Sequence, residues 1–149
     1  MVEKSGVKGS KSYTHFLSIP LNLGGEMNSK YSEFKGHVLP FLDSPGLLIV
    51  PEKLHLTVAM LCLKNDAEIS RVGEIMRAVK VASFSIELAG LEMMKGTVEA
   101  CHILYAKVRE NARLDNLGKE LMLRLAQEGF IDEIHPIKVN KPHLQRVII

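Results

Sequence analysis

His55 and Thr57 stand one residue apart in the stretch KLHLTVAM, Lys53 to Met60, and His143 and Gln145 stand one residue apart in KPHLQRVI near the chain end. Successive side chains of an extended strand point to opposite faces, so each histidine shares a face with the polar residue two places on. In the first stretch Leu54, Leu56, Val58 and Met60 read as the buried side. Lys53, His55 and Thr57 read as the lining of a site. Both stretches begin Lys, any residue, His, Leu, and the two histidines lie 88 positions apart, a pattern that hints at two similar units.

Two imidazoles facing one another across a groove suit phosphodiester chemistry. The neutral ring takes a proton from the attacking hydroxyl or water, while the protonated ring gives one to the leaving oxygen. A hydroxyl from Thr57 and an amide from Gln145 are hydrogen-bond donors for the phosphate oxygens, and they stabilise charge there without a metal. Lys53 and Lys141 supply point charges that could hold a phosphate beside them. The remaining histidines offer less. His37, His102 and His135 lack metal-ligand spacing, with no H-x-x-x-H and no cysteine in register, so neither a metal nor another cofactor is expected. His15, next to Thr14, reads as a structural or wall residue.

The elements that must position these residues follow from periodicity. Residues 1–12, MVEKSGVKGSKS, are rich in Gly, Ser and Lys without a repeat and read as a flexible lead-in, with one domain from 13 to 149. YTHFLSIPL reads as a strand, and NSKYSEFKGHVLPFL as a helix capped by Asn28, with Tyr31, Phe34, Val38 and Leu42 on one face. LLIV and KLHLTVAMLCL read as strands on either side of Pro51 and Glu52. A second helix follows Asn65 or Asp66, with Ile69, Val72, Met76 and Val79 on its apolar side. SFSIELAGLEMM and ACHILYAKV read as strands joined around Lys95 and Gly96, with Tyr105 as packing. RLDNLGKELMLRLAQEG reads as a helix with Leu114, Leu117, Leu121 and Leu125 before a Gly129 cap, and KPHLQRVII as a closing strand.

Composition bounds the answer without choosing it. A chain of 149 residues with 46% hydrophobic and 24% charged residues can bury the core of one domain. A formal charge of +2 is too small to argue for nucleic acid by itself. Cys62 and Cys101 form no CxxC pair, no apolar stretch approaches the roughly 20 residues that span a bilayer, and nothing in the first residues combines a basic region with a long apolar run. These features imply no membrane and an intracellular location, nuclear or cytosolic.

Taken together and in order, YTHFLSIPL, KLHLTVAML, LAGLEMM and ILYAKV resemble the two-histidine (2H) phosphoesterase superfamily, which is defined by paired H-x-T/S motifs. Within it the resemblance is to the A-kinase anchoring protein-like phosphoesterase domains. The resemblance implies an α+β, two-lobed fold with antiparallel sheets around a central cleft and helices outside. It implies action on, or binding of, 2′,3′-cyclic phosphates, 2′-5′ oligonucleotides, nucleoside monophosphates or RNA ends. His55 and Thr57 match the first motif, and His143 matches the second. The sequence departs from the pattern at Gln145, where the family has Thr or Ser. It departs again at Arg146, which alternation puts on the side that Leu144 and Ile148 should bury. With the chain stopping at Ile149, an incomplete or alternative C-terminus is expected, in which the His143 strand lies at a sheet edge or frays. The rival reading is a non-catalytic module that binds a nucleotide, RNA or a protein subunit of a transcription coactivator complex.

Overall fold

The computed structural model describes residues 13–21, 25–131 and 146–148. The proposed lead-in at 1–12, and His143, Gln145, Lys141 and His135, lie outside the described residues. Five strands form one antiparallel sheet: β1 (His15–Pro20), β2 (His55–Leu61), β3 (Leu88–Gly96), β4 (Cys101–Val108) and β5 (Arg146–Ile148), in the spatial order β1-β2-β5-β4-β3. Among the described residues three α-helices, α1 (Gly25–Val38), α2 (Asp66–Ala78) and α3 (Ala112–Gln127), complete an α+β architecture. Among the described residues no helix is long and apolar enough to cross a membrane.

Local chemistry sets the ends of the helices. Asn65 caps α2 by accepting from the Glu68 amide at 3.0 Å, and the Glu68 carboxylate accepts in return from the Lys64 amide at 2.7 Å. Asn111 caps α3 with one oxygen that accepts from the amides of Arg113 and Leu114, while its own NH₂ donates to the Ser85 carbonyl. Gly129 ends α3 at φ +75°, where its amide reaches Ala126 and that of Phe130 reaches Leu125. Those two bonds form a Schellman motif, which needs the left-handed conformation that glycine adopts without a Cβ penalty. Buried Phe130 completes the motif on the apolar side.

All three helices contribute to one core. Tyr31 of α1, Val72 and Ile75 of α2, and Leu114, Leu121 and Leu125 of α3 join Leu17, Leu56, Val58, Ala59 and Leu61 of the first two strands. Leu56 and Leu125 are wholly buried. At roughly 25 cal/mol per Å² of apolar surface removed from water, side chains of this size contribute about 2 kcal/mol each. The opposite side of the sheet carries no described helix.

Several expectations are corrected. Helix α1 starts three residues before Asn28, so Asn28 lies inside it rather than at its cap. LLIV is not a strand, because two 3₁₀ turns led by prolines, Pro45–Leu47 and Pro51–Lys53, take up its flanks. On α2 the buried residues are Val72 and Ile75, whereas Ile69 and Met76 are exposed. The β3–β4 turn centres on Val98 and Glu99, closed by reciprocal amide bonds of 3.2 Å between Thr97 and Ala100. The closing strand is no edge: β5 pairs with β2 on one side and β4 on the other, and so joins the two halves of the sheet.

A bulge explains why Met60 fails to join the core. The β1–β2 register runs Phe16 with Met60 and Leu17 with Ala59, then jumps to Ser18 with Thr57, leaving Val58 as an extra residue in β2. Val58 and Ala59 are both buried, so alternation slips by one and Met60 comes out on the side of His55 and Thr57.

Candidate functional site

His55 begins β2 just after the turn that ends at Lys53. Its Nδ1 lies 2.6 Å from the Lys53 carbonyl oxygen. A carbonyl can only accept, so Nδ1 carries the proton and donates, which leaves Nε2 of the neutral ring with an open lone pair. The ring is half-buried, and Phe16 flanks it with centroids 5.2 Å apart and planes tilted by 30°. Thr57 stands two residues on, on the same side and also half-buried. Cross-strand partners share a face, so Ser18, opposite Thr57, adds a second hydroxyl there. Among the described residues neither hydroxyl has a side-chain hydrogen bond, so both remain available to a ligand.

Register carries this face further across the sheet. Val147 pairs with Leu56 on one side and with Ala106 on the other, so Leu56 and Ala106 belong to the helix-covered face. Tyr105 and Lys107, the neighbours of Ala106, therefore lie on the face of His55 and Thr57, two strand spacings or roughly 10 Å away. Tyr105 is buried, outside the helix-side core, and its hydroxyl donates to Glu92 at 2.6 Å. Lys107 Nζ lies 2.7 Å from the same carboxylate. That hydrogen bond, with the charge behind it, raises the Lys107 pKa and keeps the ammonium protonated.

The structure thus brings His55 and Thr57 onto one open face and adds Ser18, Phe16, Met60 and Lys107, which sequence reasoning missed. Ser18 could have been found by pairing the first two strands, but Met60 could not, because the bulge that turns it outward has no signature in alternation. Lys53 is exposed at the end of its turn, and its described part in the site is the carbonyl that orients His55. His15 is paired with buried Leu61, which puts it on the other face from His55; its Nδ1 lies 2.9 Å from the Thr14 hydroxyl. Arg146 pairs with Lys107, so the strand that begins three residues after His143 runs between the strands of His55 and Lys107. Among the described residues no three His, Cys, Asp or Glu side chains converge as a metal site would require.

A cavity of about 230 Å³ lies elsewhere, between α1 and the β3–β4 strands, lined by Met27, Tyr31, Phe34, Leu54, Leu88 and Ala106. Its walls are nearly all apolar, and it is on the helix side of the sheet, away from His55.

Residues 13–145 match a family described as the AKAP7 2'5' RNA ligase-like domain. Activating signal cointegrator 1 complex subunit 1 of Mus musculus is 31% identical over 137 residues, a match that covers 80% of this chain. The chain spans 38% of that protein's length.

Proposed function

The chain belongs to the family of AKAP7 2'5' RNA ligase-like domains, within the 2H phosphoesterases, and on that premise we propose that it hydrolyses 2′,3′-cyclic phosphates or related phosphodiester ends of RNA and nucleotides. The observation that carries the proposal is the His55 ring, held by its Nδ1 on the Lys53 carbonyl with Nε2 open beside Thr57. A general base needs that tautomer.

In the proposed reaction His55 Nε2 takes a proton from water as the water oxygen attacks phosphorus. The bond from phosphorus to the 2′ or 3′ oxygen breaks, and His143, protonated, gives its proton to that oxygen. The product is a nucleoside monophosphate. His55 is left protonated and His143 neutral, and exchange with solvent restores the starting state. In the reverse direction the two rings exchange acid and base roles. Thr57 and Gln145 donate to the non-bridging oxygens, while Lys53 and Lys141 balance the phosphate charge. His143 enters by its match to the family motif, and Gln145 and Lys141 by their place beside it in the sequence. The two-lobed cleft belongs to the same proposal.

Turnover of 2′,3′-cyclic AMP by purified protein, run beside His55→Ala and His143→Ala, tests the proposal. Product from the wild type and none from either variant is the expected result; unchanged rates in both variants would overturn it.

A second reading has its own observation. Gln145 replaces the usual Thr or Ser, and the loss of one well-placed donor in an enzyme costs about 10²- to 10³-fold in kcat. The same face could then bind a nucleotide or RNA end without turning it over, inside a coactivator complex, the relative being named as a subunit of an activating signal cointegrator complex. Saturable nucleotide binding that His55→Ala removes, with no product formed, would favour this reading.

A further inference from the structure

The cavity between α1 and the β3–β4 strands has walls that can bind a molecule but do no chemistry on it. Among the described residues Lys30 is the one charged side chain lining it. The one hydroxyl in the walls, that of Tyr31, is already spent on the Ile49 carbonyl at 2.6 Å. A bulge opens the space. Leu88 pairs with Val108 and Leu91 with Ala106, so β3 carries one residue more than β4 over this stretch, and Gly90 adopts φ +84° there. A Cβ on Gly90 would meet no atom within 4 Å. Leu91, next to it, is a large apolar side chain left 47% exposed on the rim.

Size and charge together name an occupant. A dry apolar cavity of about 150 Å³ takes benzene, and at about 30 Å³ for each water-sized group the 230 Å³ here has room for roughly seven or eight such groups in a row. An alkyl chain of that length fills the apolar part and brings its end to Lys30. The Lys30 ammonium lies 3.4 Å from the Glu26 carboxylate, with both side chains almost wholly in water, so the pair is weak and leaves room for a second anion. Lys35 Nζ lies 5.9 Å from the centre of the Tyr31 ring, while Glu33 faces His37. Two ammoniums therefore stand against one carboxylate around these walls.

We propose that this cavity binds a medium-chain aliphatic carboxylate of about eight carbons, its chain between α1 and the β3 bulge and its carboxylate at Lys30. Apolar surface removed from water supplies the affinity, and the ammonium fixes which end stays outside. The cavity lies on the helix side of the sheet, so the proposal is independent of the hydrolytic reading of His55.

Calorimetric titration of the purified protein with sodium octanoate, beside hexanoate and 1-octanol, tests it. Octanoate should bind, and hexanoate about 15-fold more weakly, since each buried methylene is worth about 4-fold. Lys30→Gln should weaken octanoate by about 2- to 5-fold and leave octanol unchanged, whereas Glu26→Gln, which frees the ammonium, should tighten octanoate. Ala106→Leu, which fills the cavity from β4, should abolish binding of both. Should that variant not fold, methyl NMR of the wild type locates the ligand: shifts centred on Met27, Leu88 and Leu91 support the proposal, and shifts centred elsewhere overturn it. An absence of octanoate binding would overturn it as well. So would octanoate binding that ignores Lys30→Gln, since the cavity would then be a site for neutral apolar molecules.

Discussion

The two faces of the β1–β2 pair are made from the same thirteen residues and have opposite characters. Toward the helices lie Leu17, Leu56, Val58, Ala59 and Leu61, all buried in one cluster with α1, α2 and α3. Away from them lie Phe16, Ser18, His55, Thr57 and Met60, half-buried or exposed. The first face needs only apolar volume, which many sequences would supply. The second sets a histidine of defined tautomer beside two hydroxyls that have no side-chain hydrogen bond among the described residues, and beside an exposed ring, at a real cost in unburied apolar surface. That cost has no return in stability, and this is why the open face, rather than the cavity under α1, is read as the place where the molecule acts.

His55→Ala should separate the faces most sharply. It is expected to lower kcat on 2′,3′-cyclic AMP by about 10²- to 10⁴-fold, the usual range for a general base. Stability by thermal unfolding should change by only about 1 kcal/mol, since a single neutral hydrogen bond to Lys53 is lost. Leu56→Ala is the converse, on the neighbouring residue. It empties a fully buried site and should cost about 2–5 kcal/mol in urea denaturation. Similar losses of stability in both variants would break the comparison.

Smaller effects probe the support of the covered face. Asn111 caps α3 and also ties it to the chain before β3 through the Ser85 carbonyl, so Asn111→Ala should cost about 1 kcal/mol and shift the urea midpoint without altering turnover. The smallest effect belongs to Glu128, which binds Arg71 at 2.7 Å and so links the C-terminal end of α3 to α2. The hydrogen bond from Arg71 holds the Glu128 carboxyl below its ordinary 4.5, so its contribution is present above that pH and fades as the pH falls through the lowered value. Glu128→Gln should therefore lower the melting temperature slightly at pH 7, with the difference from wild type shrinking in acid. The pair is exposed, and salt should weaken the effect.

Helix existence was legible because the signals were local. The cap at Asn65 or Asp66, the Leu114-Leu117-Leu121-Leu125 stripe and the Gly129 stop depend on residues within a turn or two of one another; in the structure Asn65 is the cap, Gly129 ends the helix, and the stripe faces the core with Leu117 partly buried. Asn28 failed because α1 extends back past it, and of the face Ile69, Val72, Met76 and Val79 only Val72 and Val79 meet the core, because its direction was read from hydrophobicity alone. LLIV had the right composition for a strand, but prolines on both sides closed it into short turns.

By itself the sequence determined the α+β class, the family and the residue types fit for phosphate chemistry, because motifs and periodicities are written along the chain. Only the tertiary structure decided which residues share the face of His55. The β1–β2 bulge that turns Met60 outward, the entry of β5 between β2 and β4, and the register that puts Ser18 beside Thr57 and Lys107 two strands away are pairings between distant segments. Strand pairing is a competition among partners for backbone hydrogen bonds and core volume. A one-residue slip reverses every face, and no local pattern records where that slip falls.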